Sequence, residues 1–290
     1  EILPLMGSKE GIFHLSMAFL NPGDQVLIPN PGYPTYTAVT QLLGANPLYY
    51  SLDLSREGRP NLEELELLDL SRVKLMWINY PHMPTGATGS MEVMADLIAF
   101  AQRHDILLVQ DKPYSHILNP NPKSLLALPD GKEVGLELNS LSKTFNIPGW
   151  RVGMLCGKAE WVSAVLKVKS NMDSGMFLGL QKGATAALLL GKPWFEQQNE
   201  VYASRRKLVW ALAEQLGLTY DREAAGLFVW CRVPAGSSAE ALVDQLLFEK
   251  HIFITPGKIF GSEGNDYVRI SLCLQEFKIL EAINRIKPTS

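Results

Sequence analysis

The sequence has little cysteine and no cluster typical of a metal site. Its three cysteines, Cys156, Cys231 and Cys273, are widely spaced among 290 residues. An odd number at such spacing gives neither a disulfide framework nor a zinc knuckle and is typical of reduced thiols in a cytoplasmic protein. The five histidines also lack metal-ligand spacing. We therefore predict a cytoplasmic protein that binds no metal.

A large excess of charge of one sign is also absent. The chain carries 27 basic and 30 acidic residues, well mixed, with a formal net charge of -3. This balance gives no electrostatic attraction for nucleic acid or an anionic membrane. The longest uncharged apolar stretch, residues 183–191, is too short to span a bilayer, and the N-terminus has no signal-peptide pattern. Small-molecule partners are left, and because the chain begins with Glu1 we expect its true start to be missing.

The hydrophobic residues, 47% of the sequence, are enough for a large core, and the length favours two domains. Residues 74–79 and 106–110 are predicted as buried strands on either side of a helix over residues 90–104. Such a unit is typical of a right-handed parallel crossover. Further helices are predicted at 8–20, from 34 to about 44, 61–68, 194–216, 238–250 and from 276, and further strands at 25–28, 46–51, 133–138, 151–157, 226–233, 252–254 and 267–271.

The pattern changes beyond Trp161, where a long helix is predicted to connect two domains. We predict an α/β domain with a mostly parallel sheet flanked by helices over residues 1–203, and a smaller α+β domain over residues 204–290. Ligands of open parallel sheets bind beyond the carboxyl ends of the strands. Candidate site residues are therefore those that follow the predicted strands.

Lys143 lies in the segment of residues 139–151, between small hydroxyl residues at the end of an apolar run. Leu141 and Phe145 flank it and would desolvate its amine. Desolvation favours the neutral amine, which is the form that attacks a carbonyl to give an imine. An ordinary solvated turn is the alternative, because Ser-Lys-Thr runs are common in loops.

Phosphate-binding groups accompany the lysine. Ser140 and Ser142 offer hydroxyl donors, and Arg151 offers a planar guanidinium that matches phosphate oxygens. The predicted helix that starts at Ser8 has free backbone N–H groups and a positive dipole end. Lys9 is unfavourable beside that dipole, which indicates a nearby anion.

Asp111 directly follows a predicted buried strand, three residues before Tyr114. By itself such an aspartate is commonly a turn or helix cap. Beside an imine-forming lysine it has a further use, because a carboxylate paired with a pyridine nitrogen keeps the ring protonated and electron-withdrawing. Tyr114 is then a candidate donor to the phenolic oxygen of such a ring.

Four segments occur in the order and spacing of a known family. They are Asn-Tyr-Pro-His-Met-Pro-Thr-Gly at 79–86, Asp-Lys-Pro-Tyr at 111–114, Ser-Leu-Ser-Lys at 140–143 with Gly-Trp-Arg-Val-Gly at 149–153, and Val-Arg-Ile-Ser at 268–271. On these segments the chain resembles the class I/II pyridoxal-phosphate-dependent aminotransferases, which have the aspartate aminotransferase fold, over nearly its whole length. Residues 7–11 and 169–177 are similar to the subgroup of LL-diaminopimelate, alanine and aspartate aminotransferases.

The resemblance implies fold type I, pyridoxal 5'-phosphate as cofactor, and a homodimer that transfers an amino group between an L-amino acid, such as glutamate or aspartate, and a 2-oxo acid. It implies that Lys143 forms the Schiff base and moves the proton, that Asp111 pairs with the pyridine nitrogen, and that Tyr114 bonds the phenolic oxygen. The remaining implied contacts are those of Ser8, Lys9, Ser140 and Arg151 with the phosphate, Tyr33 with the ring, and Arg269 with the substrate α-carboxylate.

Met83 departs from the family pattern, which has asparagine at this position as a donor to the phenolic oxygen. A thioether cannot donate a hydrogen bond. We therefore predict that the imine of Lys143 has a higher pKa than in typical relatives. Two alternatives stay open: a carbon–sulfur lyase or decarboxylase on the same fold, and a non-catalytic ligand-binding domain.

Overall fold

The computed structural model describes residues 1–287, which form two sheets with surrounding helices. The strands are β1 (Ile2–Leu5), β2 (Gln25–Asn30), β3 (Asn46–Asp53), β4 (Arg59–Pro60), β5 (Val73–Ile78), β6 (Leu107–Asp111), β7 (Gly135–Ser140), β8 (Gly153–Cys156), β9 (Thr219–Tyr220), β10 (Phe228–Arg232), β11 (Thr255–Pro256) and β12 (Tyr267–Ser271). The α-helices are α1 (Ser8–Phe19), α2 (Pro34–Leu42), α3 (Leu62–Glu66), α4 (Met91–His104), α5 (Gly131–Val134), α6 (Leu141–Thr144), α7 (Ala159–Lys169), α8 (Leu178–Leu188), α9 (Gly191–Gln215), α10 (Ala239–Lys250) and α11 (Glu276–Ile286).

The larger sheet has eight strands in the order β1-β8-β7-β6-β5-β2-β3-β4. Strands β7, β6, β5, β2 and β3 are parallel to their neighbours in this run, while β8, β1 and β4 are antiparallel additions at the edges. The mostly parallel α/β sheet predicted from the sequence is thus confirmed. Its central strands are buried on both faces, as their continuous apolar runs require.

Alternating residues of β5 show how the two faces of this sheet are covered. Leu75 and Trp77 pack into a core with α1, α2 and α7, whereas Met76 and Ile78 pack into a core with α4 on the other face. Ser90 caps α4 by accepting a hydrogen bond from the Val93 N–H at 3.2 Å. Strands β5 and β6, which precede and follow this helix in the chain, pair in parallel, so the parallel pairing of the predicted crossover is confirmed.

The smaller sheet is antiparallel, in the order β11-β12-β10-β9, and packs with α9, α10 and α11 around a separate core. Helix α9 contributes Tyr202, Val209 and Leu212 to that core. The predicted domain boundary at residue 203 falls inside α9 and stays a proposal. Residues 288–290 of the predicted second domain lie outside the described part of the chain.

Residues 252–254 are not a strand, contrary to the prediction. The left-handed backbone of His251 ends α10, and the Ile252 N–H then donates to the Leu246 carbonyl at 2.9 Å. The backbone therefore closes a helix cap, and strand pairing begins only at Thr255. Ile252 and Ile254 are buried while Phe253 is exposed, and this alternation mimics a strand.

None of the helices within residues 1–287 combines the length and the apolar character needed to cross a membrane. In the same range, no group of three or more His, Cys, Asp or Glu side chains has the geometry to hold a metal ion.

Candidate active site

A cavity of about 310 Å³ opens where β6 and β7 end and where the smaller sheet faces the larger one. All of the predicted site residues line it, together with several that sequence reasoning did not assign. The lining residues are Ser8, Lys9, Tyr33, Tyr36, Asn79, Met83, Asp111, Pro113, Tyr114, Ser140, Ser142, Lys143, Arg151 and Arg269. The structure therefore brings together side chains from both ends of the chain.

Lys143 lies in the four-residue helix α6, directly after β7, and not in an open loop. Its neighbours Leu141 and Phe145 are buried, and its own side chain is half-buried. Within residues 1–287 the Lys143 amine makes no hydrogen bond or ion pair with another side chain. An amine in this setting is free to react with a carbonyl group in the cavity.

The start of α1 lies against Arg151. Gly7 has a φ of 87°, and a Cβ at this position would lie 2.3 Å from Nη2 of Arg151, so glycine allows the guanidinium to approach the helix. A Cβ at Gly153 would lie 2.9 Å from the Ser8 nitrogen, which shows how closely β8 passes the same helix end. Gly7 makes no side-chain cap, so the backbone N–H groups of the first turn of α1 remain donors.

A hydroxyl group and a backbone carbonyl accept hydrogen bonds from the same guanidinium. Nη1 of Arg151 donates to Oγ of Ser142 at 3.3 Å and to the Pro148 carbonyl at 3.0 Å. Lys9 lies across the Tyr33 ring, with Nζ 5.9 Å from the ring centroid. A cation, hydroxyl groups and a helix N-terminus meet here, which is the donor set that a phosphate group prefers.

Asp111, the last residue of β6, is buried and only partly satisfied. Its Oδ2 accepts a hydrogen bond from the Tyr36 hydroxyl at 2.9 Å, and its Oδ1 has no partner in the described part of the chain. Its backbone carbonyl accepts from Nδ2 of Asn79 at 2.5 Å. Burial raises the pKa of Asp111 from 3.8 to about 7, and the hydrogen bond from Tyr36 opposes this rise. This Oδ1 is therefore able to accept a hydrogen bond from a cationic or N–H donor of a ligand.

Tyr36 was not predicted as a site residue. It follows Tyr33, the N-cap of α2, by three residues, and this spacing of one helical turn is the signal that could have identified it. Its ring stacks on Trp77 with centroids 4.8 Å apart and meets the Tyr33 ring edge-on at 5.5 Å. Burial, followed by the nearby Asp111, raises the pKa of Tyr36 well above 10, so its hydroxyl stays a donor.

Arg269 projects from β12 between two aromatic rings. Its guanidinium carbon is 3.8 Å from the Phe228 centroid and 4.6 Å from the Phe260 centroid. Nη1 donates to Sδ of Met83 at 3.2 Å, and the buried Nε has no hydrogen-bond partner among the described residues. Burial lowers the pKa of Arg269. A cation without a carboxylate partner among residues 1–287 is able to bind a ligand anion.

Tyr114 and His82 differ in what they can contribute. The buried Tyr114 ring meets Phe228 edge-on at 5.9 Å, and burial raises the pKa of its hydroxyl, which stays protonated and able to donate. His82 is buried outside the cavity lining, where Nδ1 lies 2.8 Å from Oγ1 of Thr85. Burial lowers the pKa of His82 to about 3, so its ring is uncharged at neutral pH.

Comparison with known proteins gives consistent matches over the whole described chain. The family model for aminotransferase class I and II matches residues 1–286. The LL-diaminopimelate aminotransferase of Desulforudis audaxviator is 40% identical over 289 residues, covering 99% of this chain and 74% of the relative. The enzyme of the same name from Aquifex aeolicus is 38% identical over 291 residues, covering 99% and 75%. The solved structure of BacF from Bacillus subtilis superposes with a TM-score of 0.94 at 35% identity, covering 99% of this chain and 74% of that one.

Proposed function

The chain belongs to the class I and II aminotransferases, and we propose that the cavity is where it transfers an amino group between an L-amino acid and a 2-oxo acid. Members of this family use pyridoxal 5'-phosphate. One observation carries the assignment: three side chains without an ionic partner among residues 1–287, those of Asp111, Lys143 and Arg269, line one cavity.

The residues of the cavity fit this cofactor. The buried Oδ1 of Asp111 offers an acceptor to a protonated ring nitrogen, and Gly7 leaves the start of α1 and Arg151 open to a phosphate. We propose that Ser8, Lys9, Ser140 and Arg151 hold the phosphate, and that Tyr33, Asp111 and Tyr114 hold the ring. When bound, the cofactor supplies an electron-withdrawing ring that stabilises negative charge at the substrate α-carbon.

Lys143 has two tasks in this proposal. Its amine would hold the cofactor covalently until a substrate amine takes its place. The free Lys143 amine would then act as the general base that takes the proton from the substrate α-carbon, and as the general acid that gives it back. Its freedom from hydrogen bonds with other side chains suits an amine that must exchange partners.

Arg269 orients the substrate. We propose that its guanidinium binds the α-carboxylate, since a planar fork matches a carboxylate and no protein carboxylate competes for it within residues 1–287. LL-diaminopimelate is the first amino acid to test, because the two relatives named above are aminotransferases for this compound. Glutamate and aspartate are the next donors to test.

A half-reaction screen tests the function. The protein loaded with cofactor is mixed with single amino acids without any 2-oxo acid, and the aldehyde form of the cofactor is followed by its absorbance. We expect at least one amino acid to convert the cofactor to its amine form, with release of the matching 2-oxo acid. Bound cofactor that no amino acid converts would contradict the proposal, as would product release that leaves the cofactor unchanged, the behaviour of a lyase.

We also propose that the protein is a homodimer and that residues around α8 form its interface. A run of large apolar side chains is exposed there: Phe177, Leu178, Leu188, Leu189 and Leu190. Such an apolar patch supports association with a second copy. Leu189→Asp should give monomers in sedimentation experiments, whereas Leu67→Asp, which charges an equally exposed leucine at the end of α3, should not. Equal behaviour of both variants would overturn this interface.

A cytoplasmic location is proposed from the cysteines. Cys156, Cys231 and Cys273 are all free, and a protein with unpaired thiols suits a reducing compartment. Fractionation of the source cells would test this location, and recovery outside the cytoplasm would contradict it.

A further inference from the structure

We infer that Tyr36 is a positioning residue that holds Asp111 as an ionised carboxylate with its second oxygen free to meet a cationic ring nitrogen. The identity of that nitrogen rests on the proposed function. The link between Tyr36 and Asp111 does not depend on it, because both side chains are seen in contact without a ligand.

The geometry makes Tyr36 the sole side-chain donor to the Asp111 carboxylate within residues 1–287. Its hydroxyl donates to Oδ2 at 2.9 Å, while Oδ1 is buried and unpaired. Tyr36 is 1% exposed and Asp111 is 3% exposed, so water does not replace this donor easily. A hydrogen bond to the charged form of a buried carboxyl favours ionisation.

The Tyr36 ring is fixed independently of its hydroxyl. It lies nearly parallel to Trp77 of β5, with an interplanar angle of 5°, and Tyr33 covers its edge. Because packing sets the direction of the ring, the hydroxyl is aimed at one carboxylate oxygen only. Replacement by phenylalanine keeps this packing and removes the donor.

The raised pKa of Asp111 explains why the hydrogen bond from Tyr36 is needed to favour the ionised carboxylate. Burial raises the pKa of this carboxyl to about 7 even with the Tyr36 hydrogen bond in place. At neutral pH the cofactor-free protein is therefore poised between the two forms of Asp111. Loss of the donor would leave the carboxyl mostly protonated, and a neutral carboxyl pairs poorly with a pyridinium nitrogen.

Other titratable groups also face Asp111 across the cavity. They are Lys9, Tyr33, Tyr114, Lys143, Arg151 and Arg269. All of these groups are retained when only position 36 is changed. A difference in the titration midpoint of Asp111 between the parent protein and Tyr36→Phe is therefore due to the Tyr36 hydroxyl.

The test is a carbon-13 NMR titration of the cofactor-free protein labelled at aspartate side-chain carboxyls, with Asp111 assigned by its loss in Asp111→Asn. In Tyr36→Phe we expect its titration midpoint to rise by about one pH unit, as removal of one hydrogen bond to a charged group predicts. Tyr50→Phe is the matched control, since Tyr50 is also buried and its hydroxyl donates at 2.6 Å to a backbone carbonyl, that of Trp77. This control should leave the midpoint unchanged.

An unchanged midpoint in Tyr36→Phe, or an equal rise in Tyr50→Phe, would overturn the inference. If Tyr36→Phe does not fold, 3-fluorotyrosine at position 36 keeps the ring and strengthens the donor, so the midpoint should fall; a constant or higher midpoint overturns the inference equally. The proposed function is judged separately by nitrogen-15 NMR of labelled cofactor. If Asp111→Asn leaves the ring nitrogen protonated, the role of Asp111 fails while the link to Tyr36 stands.

Discussion

Asp111 on β6 and Arg269 on β12 are opposite charges on two walls of one cavity, and each lacks an ionic partner in the described chain. Their surroundings differ. Asp111 receives a hydroxyl hydrogen bond from Tyr36, whereas Arg269 lies between aromatic faces and donates only to a sulfur atom.

The difference follows from the ordinary pKa values of the two groups. Burial brings the pKa of the carboxyl to about 7, so Asp111 needs a donor to remain ionised at neutral pH. Burial also lowers the pKa of Arg269, but a guanidinium starts so far above neutrality that it stays cationic without help. The anion is therefore supported by a hydrogen bond, and the cation is left free for a ligand.

The largest effect should come from Asp111→Asn, which removes the anionic wall. We expect the half-reaction with an amino acid to slow by about 10²–10³-fold, the typical cost of losing one electrostatic contact to developing charge. Single-turnover absorbance measurements would give this rate. Asp53→Asn, at the exposed end of β3, should retain the parent rate; a comparable loss there would show that the effect is not local.

Arg269→Gln removes the cationic wall and should act on substrate binding. Hydrogen bonds to charged groups contribute about 1.5–3 kcal/mol, so KM for the amino acid should rise by about 10- to 100-fold. The absorbance of the bound cofactor should stay as in the parent protein. Arg232→Gln changes an exposed arginine of the same sheet and serves as the control. A cofactor spectrum altered as much as KM would contradict the assignment of Arg269 to the substrate.

The difference in unfolding free energy between the parent protein and Asp111→Asn, followed against pH, reports on the Asp111 carboxyl. Burial raises the pKa of Asp111 from 3.8 to about 7, so the folded, cofactor-free protein binds this proton more tightly than the unfolded chain does. The stabilising contribution is present in full below about pH 4 and is lost as pH rises through about 7. Relative to Asp111→Asn, the free energy of unfolding of the parent should therefore fall across this range in urea titrations. A constant difference between the two proteins would contradict the raised pKa.

The smallest effect is expected at Met83, which contacts Arg269 and lines the cavity. Met83→Asn introduces an N–H donor, so the pH at which the cofactor absorbance titrates should fall by about one unit. Met83→Leu keeps the size without a donor and should leave it unchanged. If the absorbance titrates at the same pH in the parent protein, Met83→Asn and Met83→Leu, the prediction is wrong.

Local sequence patterns predicted the scaffold of the site well. The apolar runs of β5 and β6, the helix α4 between them and the position of Asp111 at the end of a strand are all features of neighbouring residues. Helix α8 was not predicted, because Gly179 and Gly183 weaken its helix propensity and because Leu178 and Leu188 at its two ends are exposed. Its proposed role in a dimer interface follows only from the exposed apolar side chains around it, which the sequence does not reveal.

Contacts between distant residues could not be predicted in this way. Tyr36 and Asp111 are 75 positions apart, and a tyrosine on an apolar helix face reads as a packing residue. Met83 and Arg269 are 186 positions apart, and nothing in either segment indicates that a sulfur atom accepts from the guanidinium. Such pairs depend on how the two sheets meet, which no local pattern encodes.

Chemical trapping of the cofactor tests most directly whether Lys143 is the residue that bonds it. Borohydride reduction of the loaded protein, followed by peptide mapping with mass spectrometry, identifies the lysine that bonds the cofactor. We expect a single modified residue, Lys143, and none in Lys143→Ala. Modification of Lys9, which lines the same cavity, or of a lysine elsewhere in the chain would contradict it.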